Sequence, residues 1–145
     1  MGANLFMARL ERTSFRRAQM QGANLRSSRM TGARLEAVQL QDADFGMATM
    51  HRTYINSVEL DSSTIFGSTD FQGAAMRNVD LSEVVITLEQ LHEIFGDRTV
   101  LGMKFERLPR WYSNSFKDQR DFAKAWRTWQ RDMGFDPDDP STWDD

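Results

Sequence analysis

Cysteine is absent from the 145 residues, which excludes a disulfide scaffold, a CxxC redox centre and a thiolate zinc site. No apolar run approaches the ~20 residues that a membrane-spanning helix needs. The opening MGANLFMARLERTSF lacks the uninterrupted apolar stretch of a secretory leader. These absences make the cytoplasm the expected location. Proline, lysine and tryptophan are missing from residues 1–86, whereas residues 87–145 hold all three prolines, all three lysines and all four tryptophans. Such a shift in composition marks a structural boundary.

Charge is just as unevenly spread. The net charge of −3 combines +6 over residues 1–35, −6 over residues 36–86 and −3 over the remainder. The first segment carries seven arginines against one glutamate.

A repeat dominates what is present. Large apolar residues recur every fifth position from Leu5 through Leu10, Phe15 and Met20 to Leu60 and Ile65, thirteen in succession. The register then slips by one residue around Phe66-Gly67-Ser68 and resumes at Phe71, Met76, Leu81 and Ile86. Two places before each large residue stands a small or β-branched one, among them Ala3, Ala23, Ser28, Thr53 and Ser63. On a helix, a period of five drifts by about 140° per repeat and makes no stripe. On a strand, the odd step alternates between faces. A chain that turns a corner every few residues can instead aim every fifth side chain at one axis. Stacked coils then satisfy backbone groups against the coils above and below. The pattern therefore predicts a solenoid.

The units Ala3-Asn4-Leu5, Ala23-Asn24-Leu25 and Ala43-Asp44-Phe45 resemble the pentapeptide-repeat family, whose motif is Ala-Asp/Asn-Leu followed by two variable residues. The resemblance spans residues 1–86 in seventeen units. It implies an all-β solenoid: a right-handed quadrilateral β-helix of about four coils, twenty residues each, about 20 Å tall at the usual strand spacing. The expected internal columns are Leu5/Leu25/Phe45/Ile65, Leu10/Met30/Met50/Phe71, Phe15/Leu35/Ile55/Met76 and Met20/Leu40/Leu60/Leu81. Outside, Arg9 is placed over Arg29, Arg16 over Glu36, and Arg12 two coils from Arg52.

Residues 87–134 are read as a helical cap and appendage. Thr87-Leu88-Glu89-Gln90 has the form of a capping box, and a helix over 88–95 would place Leu88, Leu91 and Phe95 on one face before Gly96 stops it. A loop with Pro109, Trp111 and Tyr112 follows. A second helix over about 116–133 would start near Asn114/Ser115 and carry Phe122, Trp126, Trp129 and Met133 as its apolar stripe. Residues 135–145, FDPDDPSTWDD, read as an acidic, flexible tail. The first coil has no cap. It is open to three readings: a fragment of a longer chain, self-association, or a frayed first coil.

No catalytic, cofactor-binding or metal-binding constellation emerges. His51 and His92 are read as solvated, Asp42 and Asp44 as exposed, and no spacing isolates a carboxylate pair. Gly22, Gly32 and Gly73 suit coil corners and form no phosphate loop. An enzyme is not expected, and no cofactor is implied. The candidate interaction surface is the arginine wall, represented by Arg9, Arg12, Arg16, Arg17 and Arg29 with Arg26 and Arg34 beside it, together with Trp126 and Trp129. The expected role is a non-catalytic protein-interaction scaffold with an unspecified protein partner. Homodimerisation through the first coil or the C-terminal helix is part of that expectation. Nucleic acid is not an expected partner, since no aromatic interleaving accompanies the arginines. Two alternatives stand beside it: a DNA mimic that binds a type II topoisomerase such as gyrase, as some family members do, and a solenoid module of a longer chain.

Overall fold

The computed structural model describes residues 2–99, 101, 109, 111 and 114–138. Extended backbone recurs every twenty residues, and the strands β1 (Ser14–Arg16), β2 (Arg34–Glu36), β3 (Tyr54–Asn56), β4 (Ala74–Arg77) and β5 (Ile94–Asp97) pair in parallel in that order. Ser14 sits against Arg34, and Arg34 against Tyr54. Single parallel bridges such as Asn4 to Asn24, Arg9 to Arg29 and Gln19 to Gln39 build three further walls. Each coil thus has four sides. We number the walls 1 to 4 by the four units of the first coil, so that the strands lie on wall 3.

Corners are made by backbone that most residues avoid. Every fifth residue from Met7 to Ser57 has a φ between 54° and 72°, in the left-handed region. Ladder bonds to the neighbouring coils hold these corners, as where Met7 N–H donates to the Arg26 carbonyl at 2.9 Å and Arg12 N–H to that of Thr31 at 2.9 Å. Inside, Leu25, Met30, Leu35, Leu40, Phe45 and Met50 are buried, stacked by the period the sequence predicts. Each such side chain contributes roughly 1.5–3 kcal/mol of gross burial energy. Several small interior positions are threonines with a further task. Thr53, Thr64, Thr69 and Thr99 donate their hydroxyls to the carbonyls of Met30, Leu40, Phe45 and Met76 in the preceding coil. In the first coil, Leu5, Leu10 and Phe15 are only half-buried.

The register slip lies earlier than expected. Gln39 bridges Glu59, twenty residues on, but Asp44 bridges Ile65, twenty-one on. The extra residue therefore sits in Asp61–Thr64, not at Phe66-Gly67-Ser68. Phe66 is the interior residue, 3% exposed, while Ile65 faces outward at 46%. Thr64, rather than Ser63, fills the small interior position. Phe66 is favoured because its ring stacks on Phe45 and meets Phe71 edge-on, both at 5.3 Å between centroids. Asp61 absorbs the insertion: its carboxylate accepts from Asp42 N–H at 3.0 Å, where other coils offer a backbone carbonyl. It also accepts from Ser63 N–H and the Thr64 hydroxyl. Those bonds, the Asp42 one first, lower its pKa.

The stack also continues further. Helix α1 (Leu88–His92) opens on the Thr87/Gln90 capping box, but it ends at His92 instead of running to 95. Ile94–Asp97 then rejoins the ladder as β5, so Phe95 is a strand residue. Ile86, Leu91 and Leu101 are buried in line with three interior columns, and Gly96 lies beside Met76 in the other. Gly96 does not stop a helix. It leaves room for the Trp111 ring, which occupies the place a Cβ would take. Trp111 is buried and donates its indole N–H to the Leu91 carbonyl at 3.0 Å, closing this end of the core.

Helix α2 (Gln119–Asp132) starts three residues later than expected, because Asp118 is its N-cap and accepts from Asp121 N–H at 2.9 Å. It ends at Met133 and Gly134, the latter at φ 90°. Met133 is 49% exposed and does not belong to the packed stripe. Asp136 and Asp138 lie against Arg131 and Arg127 of α2, and the Arg127 and Arg131 hydrogen bonds lower the Asp138 pKa. Tyr112 and residues 139–145 lie outside the described residues.

Candidate functional site

The arginines of the first two coils are exposed and spread over three walls. Arg9 and Arg29 share a column on wall 2, as the spacing requires. Arg12 and Arg17 occupy left-handed corners on either side of wall 3. On wall 3 itself, Arg16 lies 3.7 Å from Glu36, and Arg34 lies 2.7 Å from the same carboxylate. Arg26, on wall 1, pairs with Asp44 at 3.3 Å. Arg9, Arg17 and Arg29 have no ion pair among the described residues. Arg12 passes over Gly32, with Arg52 approaching from the other side. These corner arginines lean on glycines, where no side chain obstructs their stems.

Trp126 and Trp129 are placed differently. Both are half-buried between α2 and the coil stack. Phe122, fully buried, anchors α2 on the outward face of Tyr54, Ala75 and Phe95. The Trp126 ring lies 5.8 Å from Tyr54, and that of Trp129 lies 5.6 Å from Phe95. Trp126 Nε1–H and Gln130 Nε2–H both donate to the Gly73 carbonyl, at 2.9 and 3.1 Å. At the other end of the helix, Gln119 Oε1 accepts from Tyr54 OH at 2.6 Å and from Arg77 Nη1 at 2.8 Å. Arg77 is itself buried, pairs with Asp97 at 2.8 Å and lies over the Phe122 ring. The tryptophans are therefore committed to holding α2 on strands β3 to β5. Among the described residues, nothing packs over strands β1 and β2 of the same wall.

Two features escape reading along the chain. His51 is not solvated: its side chain is 8% exposed, and Nε2 lies 2.7 Å from Asp70 Oδ2. Glu93, on the next coil, has its pKa pushed up to about 7 by burial first and by the nearby Asp70 charge second. A shifted carboxyl group, Glu93, thus stands near a second one 23 positions earlier, on the neighbouring coil. Only a model of which residues stack, corrected for the insertion at Asp61–Thr64, brings them together. Beside the pair is a hollow of about 340 Å³ lined by Phe66, Thr69, Asp70, Val85, Gln90 and Glu93. A second hollow, of about 670 Å³, lies between α1, β5 and the end of α2, lined by Leu88, His92, Ile94, Trp111, Trp129 and Met133. His92 is exposed.

Among the described residues, no His, Asp and Glu cluster is arranged to hold a metal ion. Among them, too, no helix is long and apolar enough to cross a membrane.

A profile of pentapeptide repeats, eight copies long, matches residues 2–32 and 18–56. No curated protein matches the chain. Among solved structures, the chain is similar to Rfr23, a pentapeptide repeat protein from the cyanobacterium Cyanothece 51142, at 18% identity over 61% of this chain and 64% of that one, with a TM-score of 0.34. It is also similar to HetL from Nostoc sp. strain PCC 7120, a pentapeptide repeat protein involved in heterocyst differentiation regulation, at 17% identity over 70% of this chain and 56% of that one, with a TM-score of 0.33. The chain spans less than two thirds of the length of either protein. Over residues 2–56 the four-sided coils are thus built of units that match pentapeptide repeats.

Proposed function

We propose that the chain is a non-catalytic protein-interaction scaffold whose binding surface is the arginine-bearing first two coils. One observation carries this reading: among the described residues, wall 3 is covered by α2 over β3 to β5 and left open over β1 and β2, with Arg16, Arg34 and the corner arginines around it. A partner surface rich in carboxylates complements that field. Rigid backbone ladders present the guanidinium groups at fixed spacing, so little order is lost on binding. The charge argues against head-to-head pairing of two copies through the first coil, which would bring Arg9, Arg12, Arg16 and Arg17 of both together. A DNA mimic would need carboxylates where these arginines stand.

The test is affinity capture with wild type and with a variant carrying Arg9→Glu, Arg12→Glu, Arg16→Glu and Arg17→Glu. All four side chains are exposed, so the fold is retained. A partner held by wild type and released by the variant, more weakly bound as salt rises, supports the proposal. Identical captured sets would remove the arginine surface from consideration.

A further inference from the structure

Among the described residues, the exposed large apolar side chains are Phe6, Met7, Met47, Ile65, Val85 and Met133, and all but Met133 lie on wall 1 or its corner with wall 2. The outward column of wall 1 reads Asn4, Asn24, Asp44, Ile65 and Val85 from the first coil to the fifth. The ladder bonds of Met7, Ser27 and Met47 set a second column beside it: Phe6, Arg26, Gly46 and Gly67. One end of the wall therefore carries apolar knobs, Phe6 at 52% and Met7 at 63% exposed. The other end has only glycine in that column, and there lies the hollow of about 340 Å³ whose lining includes Phe66, Gly67, Ser68, Val85, Asp70 and Glu93. Charge has the same polarity. The adjoining column of wall 2 runs Arg9, Arg29, Thr49, Asp70, and the net charge is +6 over residues 1–35 and −6 over residues 36–86.

We infer that wall 1 is a docking surface for a second copy of this chain, laid antiparallel against it about a two-fold axis, with Phe6 and Met7 of each copy entering the hollow of the other. Walls 3 and 4 do not suit such a contact: wall 3 holds α2, and wall 4 presents Gln19, Gln39 and Glu59. With the first coil set against the fourth and the second against the third, Phe6 faces Gly67 and Met47 faces Ser27, large against small in each direction. Arg9, which has no ion pair among the described residues, comes level with Asp70 of the second copy, whose side chain is 40% exposed. Arg26 comes level with the third coil of the second copy and its Asp44, the carboxylate it already pairs with in its own chain. A parallel arrangement would bring the two basic ends together and leave the hollows unfilled. An aromatic anchor in an apolar hollow supplies affinity, and the charges beside it fix the orientation. A wall of four coils, about 20 Å tall, gives an interface below roughly 1,200 Å², so the dimer forms and parts reversibly. Wall 3 lies on the opposite side of each prism and stays free, so this pairing does not depend on what the arginine surface binds.

Sedimentation velocity on the full chain alone, over a concentration series, tests this. Wild type should show a monomer–dimer equilibrium that weakens as salt rises from about 50 mM to about 500 mM. Phe6→Lys and Ile65→Glu each replace an exposed side chain, so both variants keep the fold, which circular dichroism checks. Each should weaken dimerisation about tenfold or more. An equimolar mixture of the two should recover it. In a two-fold contact the introduced ammonium then meets the introduced carboxylate in one half, while the other half remains wild type. Wild type that stays monomeric at about 1 mM overturns the inference. So does a dimer that both variants leave intact, which would place the contact on another face, or a mixture that stays monomeric, which would exclude the antiparallel register.

Discussion

One column on wall 3 contains the same ion pair twice. Arg16 precedes Glu36 by one coil, and Arg77 precedes Asp97 by one coil, on identical backbone. The first pair is 3.7 Å apart, with the arginine side chain 71% exposed. The second is 2.8 Å apart, with side chains 6% and 0% exposed. The difference comes from the neighbouring outward column, which reads Ser14 and Arg34 over the open half and Tyr54, Ala75 and Phe95 over the covered half. Apolar outward residues recruit α2, and α2 removes the pair from water. The interior period builds the wall, and residues outside that period decide what each half does.

The comparison breaks most severely at Phe122. Phe122→Ala removes the fully buried ring that joins Tyr54, Phe95 and Trp126, and should cost about 4 kcal/mol in urea unfolding. Helical circular dichroism should melt before the sheet; a shift under about 1 kcal/mol would show that α2 docks by other means. Next, Arg77→Met leaves the Asp97 carboxylate buried, with Arg98 at 4.0 Å as its remaining cation, and should cost about 3 kcal/mol. A further Asp97→Leu change should recover part of that loss; no recovery would mean packing, rather than charge, sets the value. Tyr54→Phe deletes one hydrogen bond to Gln119 at the seam between the halves, and about 1 kcal/mol should follow. Smallest of all, Glu36→Gln in the open half should cost about 0.5 kcal/mol, fading at high salt. A Glu36 effect as large as that of Arg77 would erase the distinction between the two halves.

The interior was legible because stacking imposes its period on the sequence, and Leu5 to Leu60 carry it without interruption. The slip was misplaced because Ile65 and Phe66 are both apolar, and only ring stacking on Phe45 selects between them. The helix over 88–95 was overextended for a related reason. Leu88, Leu91 and Phe95 have helical spacing, yet the ladder reclaims the chain after His92. The outward placement of the arginines is readable from the repeat. That Asp70 and Glu93 line one hollow is not readable, because an insertion and a helix both stand between them and the regular count of twenty. Trp126 and Trp129 were correctly seen as one stripe, but where that stripe docks depends on Tyr54 and Phe95, which carry no periodic signal.

The Asp61 carboxylate has a practical consequence beyond its hydrogen bonds. By taking the place of a backbone carbonyl for Asp42 N–H, it lets one coil hold an additional residue while the coils after it return to the regular register. Ser62 and Ser63 at that turn are exposed. The turn is thus a natural splice point, where a peptide can be grafted into a rigid prism without shifting any coil downstream.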